Sequence, residues 1–160
     1  MPAYILQITH FIALIYDCAQ NMTTLHELFA YWFPNENYQE FWFDTSRDKE
    51  IFDKFHGLLS TTERNIQEII DVGLSDDEIF RYVLVLDQIT RNIGRINGTN
   101  PKRNDTYALQ FAKKILQNDY DKTLPFNQRM FLLLPLRHSR TTENLDQVVA
   151  ILKNYRSTEQ

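Results

Sequence analysis

Hydrophobic positions along this chain recur mostly every third or fourth residue, the spacing that gathers apolar side chains on one face of an α-helix. Leu25, Leu28, Phe29 and Trp32 make such a face. Thr24 and Glu27 have the spacing of a capping box, and Pro34 ends the pattern, so a helix is predicted from about Met22 to the residues before that proline. Upstream, Ile5, Ile8, Ile12 and Ile15 form another stripe, read as a leading helix or an extension outside the core over residues 1–21. After a loop rich in Asn and Glu comes Phe41-Trp42-Phe43-Asp44. A long run of Ile51, Phe52, Phe55, Leu58, Leu59, Ile66, Ile69 and Ile70 then continues the helical spacing to Val72, with Gly73 placed to take a left-handed conformation. Ser60 and Glu63 also have capping-box spacing, which predicts a division of this run near Ser60.

Ser75 and Glu78 form the next capping box, ahead of Ile79, Tyr82, Val83, Leu86, Ile89 and Ile93. This helix is apolar around much of its circumference and is therefore expected to be the central, most buried element. Asn97-Gly98-Thr99-Asn100-Pro101 breaks the chain with strong turn chemistry. Tyr107, Ala108, Phe111, Ala112, Ile115 and Leu116 mark a further helix. Another is expected to start at Thr123 to Pro125 and run through Met130, Phe131 and Leu134, with Pro135 stopping or kinking it. The last runs from about Thr142 through Leu145, Val148, Val149, Ile151 and Leu152 to Tyr155. With no reliable repeat, low-complexity tract or internal linker, the expectation is an all-α fold of about six or seven helices, forming a single helical domain over residues 22–156.

Composition agrees with that picture. A chain of 160 residues with 43% hydrophobic residues is of the usual size for one core, and 4 Gly and 5 Pro leave few turns for a many-stranded sheet. The net charge of -4 makes nucleic acid an unexpected partner, because phosphate contacts need clustered Lys and Arg. A lone Cys18 can form no internal disulfide, so a cytoplasmic setting is expected and the cysteine reads as a small buried apolar residue. The apolar stretch from Ala3 to Tyr16 is shorter than the ~20 residues that span a bilayer, and Gln7, Thr9 and His10 interrupt it. It has neither the leading cation nor the cleavage site of a secretory signal. The glycosylation-type triplets at Asn21, Asn97 and Asn104 are then chance matches.

Candidate chemistry concentrates in two places. In Leu86-Asp87-Gln88-Ile89-Thr90-Arg91-Asn92, Asp87 and Arg91 stand one helical turn apart and can pair. Their apolar surroundings imply burial, which demands such pairing. The bland alternative is a structural ion pair, with Gln88 and Asn92 tying down neighbouring backbone. Arg137-His138-Ser139-Arg140 follows an apolar run, where His138 can titrate, Ser139 can donate or accept, and the arginines can hold an anion. Ser139 sits on no nucleophile elbow, so a hydrolase is not expected. His10, His26, His56 and His138 have no paired helical spacing, and no Gly-rich phosphate loop occurs, so neither a metal nor a cofactor is expected. The aromatics Tyr31-Trp32-Phe33 and Phe41-Trp42-Phe43, next to Glu36, Glu40 and Asp44, read as core packing rather than a base-stacking platform.

Tyr31-Trp32-Phe33, Phe41-Trp42-Phe43, Phe52-Asp53-Lys54-Phe55, Leu86-Asp87-Gln88 with Arg91-Asn92, and Leu134-Pro135-Leu136 with His138-Ser139 occur in this order. Over roughly residues 25 to 150 this set resembles the uncharacterised helical family called domain of unknown function nine hundred and twenty-four. The resemblance implies a tetratricopeptide-like array of antiparallel helix pairs and no established reaction. It also implies that Asp87, Gln88, Arg91, Asn92, His138 and Ser139 converge. The chain departs from the family pattern in carrying Ile89-Thr90 for the usual Phe-Pro, and Arg137 and Arg140 for acidic residues. A further C-terminal segment with a Phe-Pro-His-Arg-Asn-like motif does not follow in this sequence.

The leading functional expectation is a non-catalytic module that receives a protein or peptide partner in a groove between helix pairs. The alternative is an enzyme or binding protein for a small anionic substrate, with Arg91, Arg137 and Arg140 as binders and His138 or Asp87 as proton carrier. In a third reading, the polar set only fixes the packing of the central helix.

Overall fold

The computed structural model describes residues 3–158, and among them eight α-helices and no strand are found. The helices are α1 (Ala3–Trp32), α2 (Asp48–Arg64), α3 (Ile66–Asp71), α4 (Asp76–Leu84), α5 (Thr90–Asn97), α6 (Asp105–Leu116), α7 (Phe126–Ser139) and α8 (Thr142–Thr158). Short 3₁₀ turns occupy Glu40–Phe43 and Tyr120–Thr123, and a π-helical turn, Val85–Ile89, joins α4 to α5 in one rod. The all-α expectation is met.

That rod is the centre of the molecule. Every residue from Tyr82 to Thr90 is buried, and α4 packs on α1, α6 and α7 while α5 packs on α2. Its start is fixed locally: Ser75 Oγ accepts from the Glu78 amide at 3.3 Å, and Glu78 Oε2 accepts from the Ser75 amide at 2.9 Å. This reciprocal pair satisfies two amides that a helix start leaves open. At its end Gly98 takes φ +75° and the Gly98 amide donates to Gly94 O at 2.9 Å. Gly94 is required by close approach, since a Cβ there would lie 2.8 Å from Thr99 O.

Around the rod, aromatic rings fill the space between the end of α1, the Glu40–Phe43 turn and α7. Phe131 lies edge-on to Trp32, Phe33 and Trp42. Trp42 Nε1 donates to Trp32 O at 2.9 Å, so its polar atom is satisfied inside the core. Trp32, Phe33, Phe41 and Trp42 are buried as packing residues, whereas Phe43 is 64% exposed, contrary to the expectation for that whole cluster.

Three local expectations are corrected or narrowed. Thr24 caps nothing: α1 continues through it, and its hydroxyl donates to Gln20 O at 3.0 Å. The turns ahead of it are already helical, so extending the helix is easier than starting one at Thr24. Ser60 likewise donates to His56 O at 3.0 Å inside α2. The division comes instead at Asn65, whose φ of -109° and ψ of 17° end one helix and begin the next. Of the two outcomes expected at Pro135, a stop or a kink, the stop does not occur, since α7 runs through it to Ser139. Residues Phe131 to Leu136 are all buried, and that packing outweighs the one hydrogen bond a proline removes. At Gly73 the left-handed conformation is found, with φ +70°. The expectation for Cys18 concerns a side chain outside the described residues.

Tyr120 ties its turn to the start of α4 by donating its hydroxyl to Asp77. Burial, then the bond to Asp77, raises the Tyr120 pKa. A phenol whose folded pKa exceeds its unfolded one contributes stability that is fully present below about pH 10 and is lost as pH rises toward the folded value. Melting temperatures measured from pH 9 to 11.5 should therefore fall less steeply in Tyr120→Phe than in the parent chain; parallel slopes would contradict this assignment.

Candidate functional site

Asp87 lies on the π turn, 1% exposed, and collects three donors. His138 Nδ1, reaching over from the end of α7, is 2.8 Å from Asp87 Oδ1. Arg91 Nη1 donates to the same oxygen at 3.1 Å. Gln88 Nε2 donates to Oδ2 at 2.6 Å. Arg91 is held further by its bond to Asp87 O at 2.7 Å and by an ion pair with Asp105 at 2.9 Å. Such a buried carboxylate is stable only because its oxygens are paired.

The π turn is what presents adjacent residues, Asp87 and Gln88, to one place. Thr90 Oγ1 donates across it to Val85 O at 3.2 Å. Asn104 Nδ2 donates to that hydroxyl at 3.0 Å and to Glu63 Oε1 at 2.7 Å, so α2 and α6 brace the turn. Wide turns of this kind are frequent at functional sites.

One turn further on, a second buried carboxylate repeats the device. Asp48, at the start of α2 and 4% exposed, accepts from Asn92 Nδ2 at 2.7 Å and from Arg95 Nε and Nη2 at 2.6 and 2.7 Å. The two Arg95 bonds form the planar fork that suits a carboxylate.

Above these pairs opens a cleft of about 410 Å³, lined by Trp42, Phe43, Asp44, Thr45, Gln88, Arg91, Arg95, Leu134, Arg137, His138 and Arg140. It therefore joins Gln88 and Arg91 to the Arg137–Arg140 segment across a separation of more than forty positions. Arg91 and Arg95 have carboxylate partners behind the wall. Arg137 and Arg140 are exposed, and among the described residues neither enters an ion pair. The acid on the cleft wall is Asp44. Its carboxylate accepts from Ser46 Oγ at 2.5 Å and from the Ser46 amide at 2.9 Å, and these bonds lower its pKa. Arg137 and Arg140 thus share the cleft wall with Asp44, beside Arg91 and Arg95, whose charges Asp87, Asp105 and Asp48 balance.

Two residues expected in this set serve elsewhere. Asn92 is buried against Asp48 and supports Arg95 from behind. Ser139 donates to Leu136 O at 2.6 Å and accepts from Asn144 Nδ2 at 2.8 Å, fastening α7 to α8 rather than facing a reactive group. Gln88 and Asn92 bind carboxylates, not the neighbouring backbone that the structural alternative had assigned to them. Sequence reasoning also missed residues. Arg95 was discernible, since it stands one turn beyond Arg91 on the same face; Asp48, Asp105 and the cleft role of Trp42 and Phe43 depend on long-range packing.

Among the described residues no helix is long and apolar enough to cross a membrane. No curated protein and no solved structure matches the chain. The family model described as bacterial protein of unknown function (DUF924) matches residues 28–160, and the chain belongs to that family.

Proposed function

We propose that this protein is a helical binding module whose cleft captures the anionic end, a carboxylate or a phosphate, of a peptide or small molecule. The observation that carries the reading is the pair of exposed guanidinium groups, Arg137 and Arg140, which enter no ion pair among the described residues and line one cleft with Arg91, Arg95 and His138. Guanidinium forks match carboxylate and phosphate oxygens, and the volume of about 410 Å³ is that of a small-ligand site. Exposed Phe43 on the rim adds an apolar surface for the body of such a ligand. The reading of the helices as a tetratricopeptide-like array draws support from the successive packing of α6 on α7 and α7 on α8. Only Arg140 and Thr141 separate the last two helices, and so short a connection joins antiparallel neighbours.

The test is calorimetric titration with inorganic phosphate and with succinate, at low and high salt. Saturable binding that weakens with salt is expected, and Arg137→Glu with Arg140→Glu should weaken it at least about tenfold, as two favourable charges become repulsive. Both side chains are exposed, so melting temperature should stay within about one degree of the parent. Absence of binding by either anion, or binding indifferent to the double substitution, overturns the proposal.

A catalytic reading has one observation in its favour. Asp87 occupies His138 Nδ1, which leaves Nε2 as the ring nitrogen available to a ligand, the arrangement of an oriented acid–base pair. A bound anion that is turned over by the parent but not by His138→Gln would favour it.

A further inference from the structure

From Ile5 to Gln20, α1 runs clear of the core: every residue whose side chain is described in that stretch is exposed, and burial begins only beyond it, with Leu25 the first fully buried position. We propose that this stretch is an assembly arm, which packs against the same stretch of other copies of this chain. Ile5, Ile8, Ile12, Ile15, Ala19 and Met22 follow one another at alternating steps of three and four. That is the a and d spacing of a heptad repeat, whose seam buries itself only against another helix. With Ile5 at position a, Gln7, His10, Asp17, Gln20 and Asn21 all fall at b, c or f, the outer positions. Thr9, which borders the seam, satisfies its hydroxyl by donating to Ile5 O at 2.9 Å within its own helix.

The exposed area is what a stable interface needs. Ile5, Ile8, Phe11, Ile12, Ile15 and Tyr16 are 36% to 64% exposed. Together they leave on the order of 700 Å² of apolar surface per chain, against about 800 Å² per partner in a standard interface. Monomers seldom leave patches of that size open to water.

Charge points to an identical partner. No Asp, Glu, Lys or Arg occurs from Ala3 to Tyr16, so copies do not repel one another, and there is no charge for a differently charged partner to complement. Isoleucine at both a and d favours more than two strands in a parallel coil. Phe11 and Tyr16, at g and e, widen the apolar band in the same sense. The arm is also nucleated already, because it continues the helix that Leu25, Leu28 and Trp32 anchor in the core.

Sedimentation equilibrium on the full chain tests this. The parent should sediment as a multiple of the 19.1 kDa chain mass, three or more at micromolar concentration, and Ile8→Lys with Ile12→Lys should sediment as the monomer. Both positions lie outside the core, so circular dichroism of the variant should show the helical content of the folded body retained. A parent that is monomeric at 100 μM overturns the proposal, as does a double variant that keeps the parent's mass, which would place the contact elsewhere. A monomeric parent that co-sediments with phosphatidylcholine vesicles also overturns it, in favour of a lipid surface as the arm's partner.

Discussion

Replacing Asp87 with alanine is expected to destabilise the protein by about 3 kcal/mol. The carboxylate is buried, and its loss leaves His138 Nδ1, one Arg91 nitrogen and the Gln88 amide without the acceptor they share. Breaking a buried ion pair from one side costs roughly 3–5 kcal/mol because the surviving charge stays desolvated. The lower end applies here, since Arg91 keeps Asp105 at 2.9 Å and its side chain is 17% exposed. For a chain of this size the corresponding fall in melting temperature is about 6–12 °C. Urea unfolding monitored by circular dichroism checks the energy directly. Because His138 is part-exposed, His138→Ala should cost about 1 kcal/mol. Equal losses in the two variants would mean that the histidine, not the carboxylate, is the keystone.

Phe131→Ala should cost about 4 kcal/mol, within the range for emptying a buried aromatic site. The ring is 1% exposed and its centroid lies 5.7 Å from that of Trp32, 5.5 Å from Phe33 and 5.0 Å from Trp42. Four aromatic neighbours with fixed backbones cannot collapse into the vacancy, so the cavity persists. The fourth, Phe43, stacks on Phe131 at 6.0 Å, and with Trp42 it forms part of the cleft wall. The variant should therefore also lose several-fold in phosphate affinity. Leu59→Ala provides the comparison: it empties an equally buried site, 1% exposed, whose side chain is not on the cleft wall. If both variants lose stability and keep the same affinity, the Phe43 wall does not matter to binding.

What the sequence disclosed follows the range of each interaction. The Ser75 and Glu78 box and the left-handed Gly73 were readable because their causes lie within a few residues. Asp87 with Arg91 was readable for the same reason, being one turn apart. Thr24 and Ser60 carried the same spacing signal as Ser75, yet both are interior, since a hydroxyl can equally bond the carbonyl four residues back. At Pro135 a stop and a kink both stayed open, because a rule about one lost hydrogen bond carries no information on the five buried residues beside it, Phe131 to Leu134 and Leu136. Gathering Arg137 and His138 with Arg91 depends on how α7 crosses the central rod. Hydrophobic spacing predicts that such a crossing exists but not where it falls. The exposure of Phe43 among buried rings was hidden likewise, for nothing in Phe41-Trp42-Phe43 distinguishes the ring that faces water.

The turn at Val85–Ile89 winds one residue more than a regular α-helix would. Each residue advances a helix by about 100° of azimuth, so α5 is out of phase with α4 by an angle of that order. One rod can thereby address α6 with its first half and α2 with its second, although a continuous screw would carry both stripes along the same bearing. A deletion of a single amino acid here would restore the regular screw, and with it swing Asn92 and Arg95 away from Asp48. Length at this locus is thus constrained as well as the identity of Asp87.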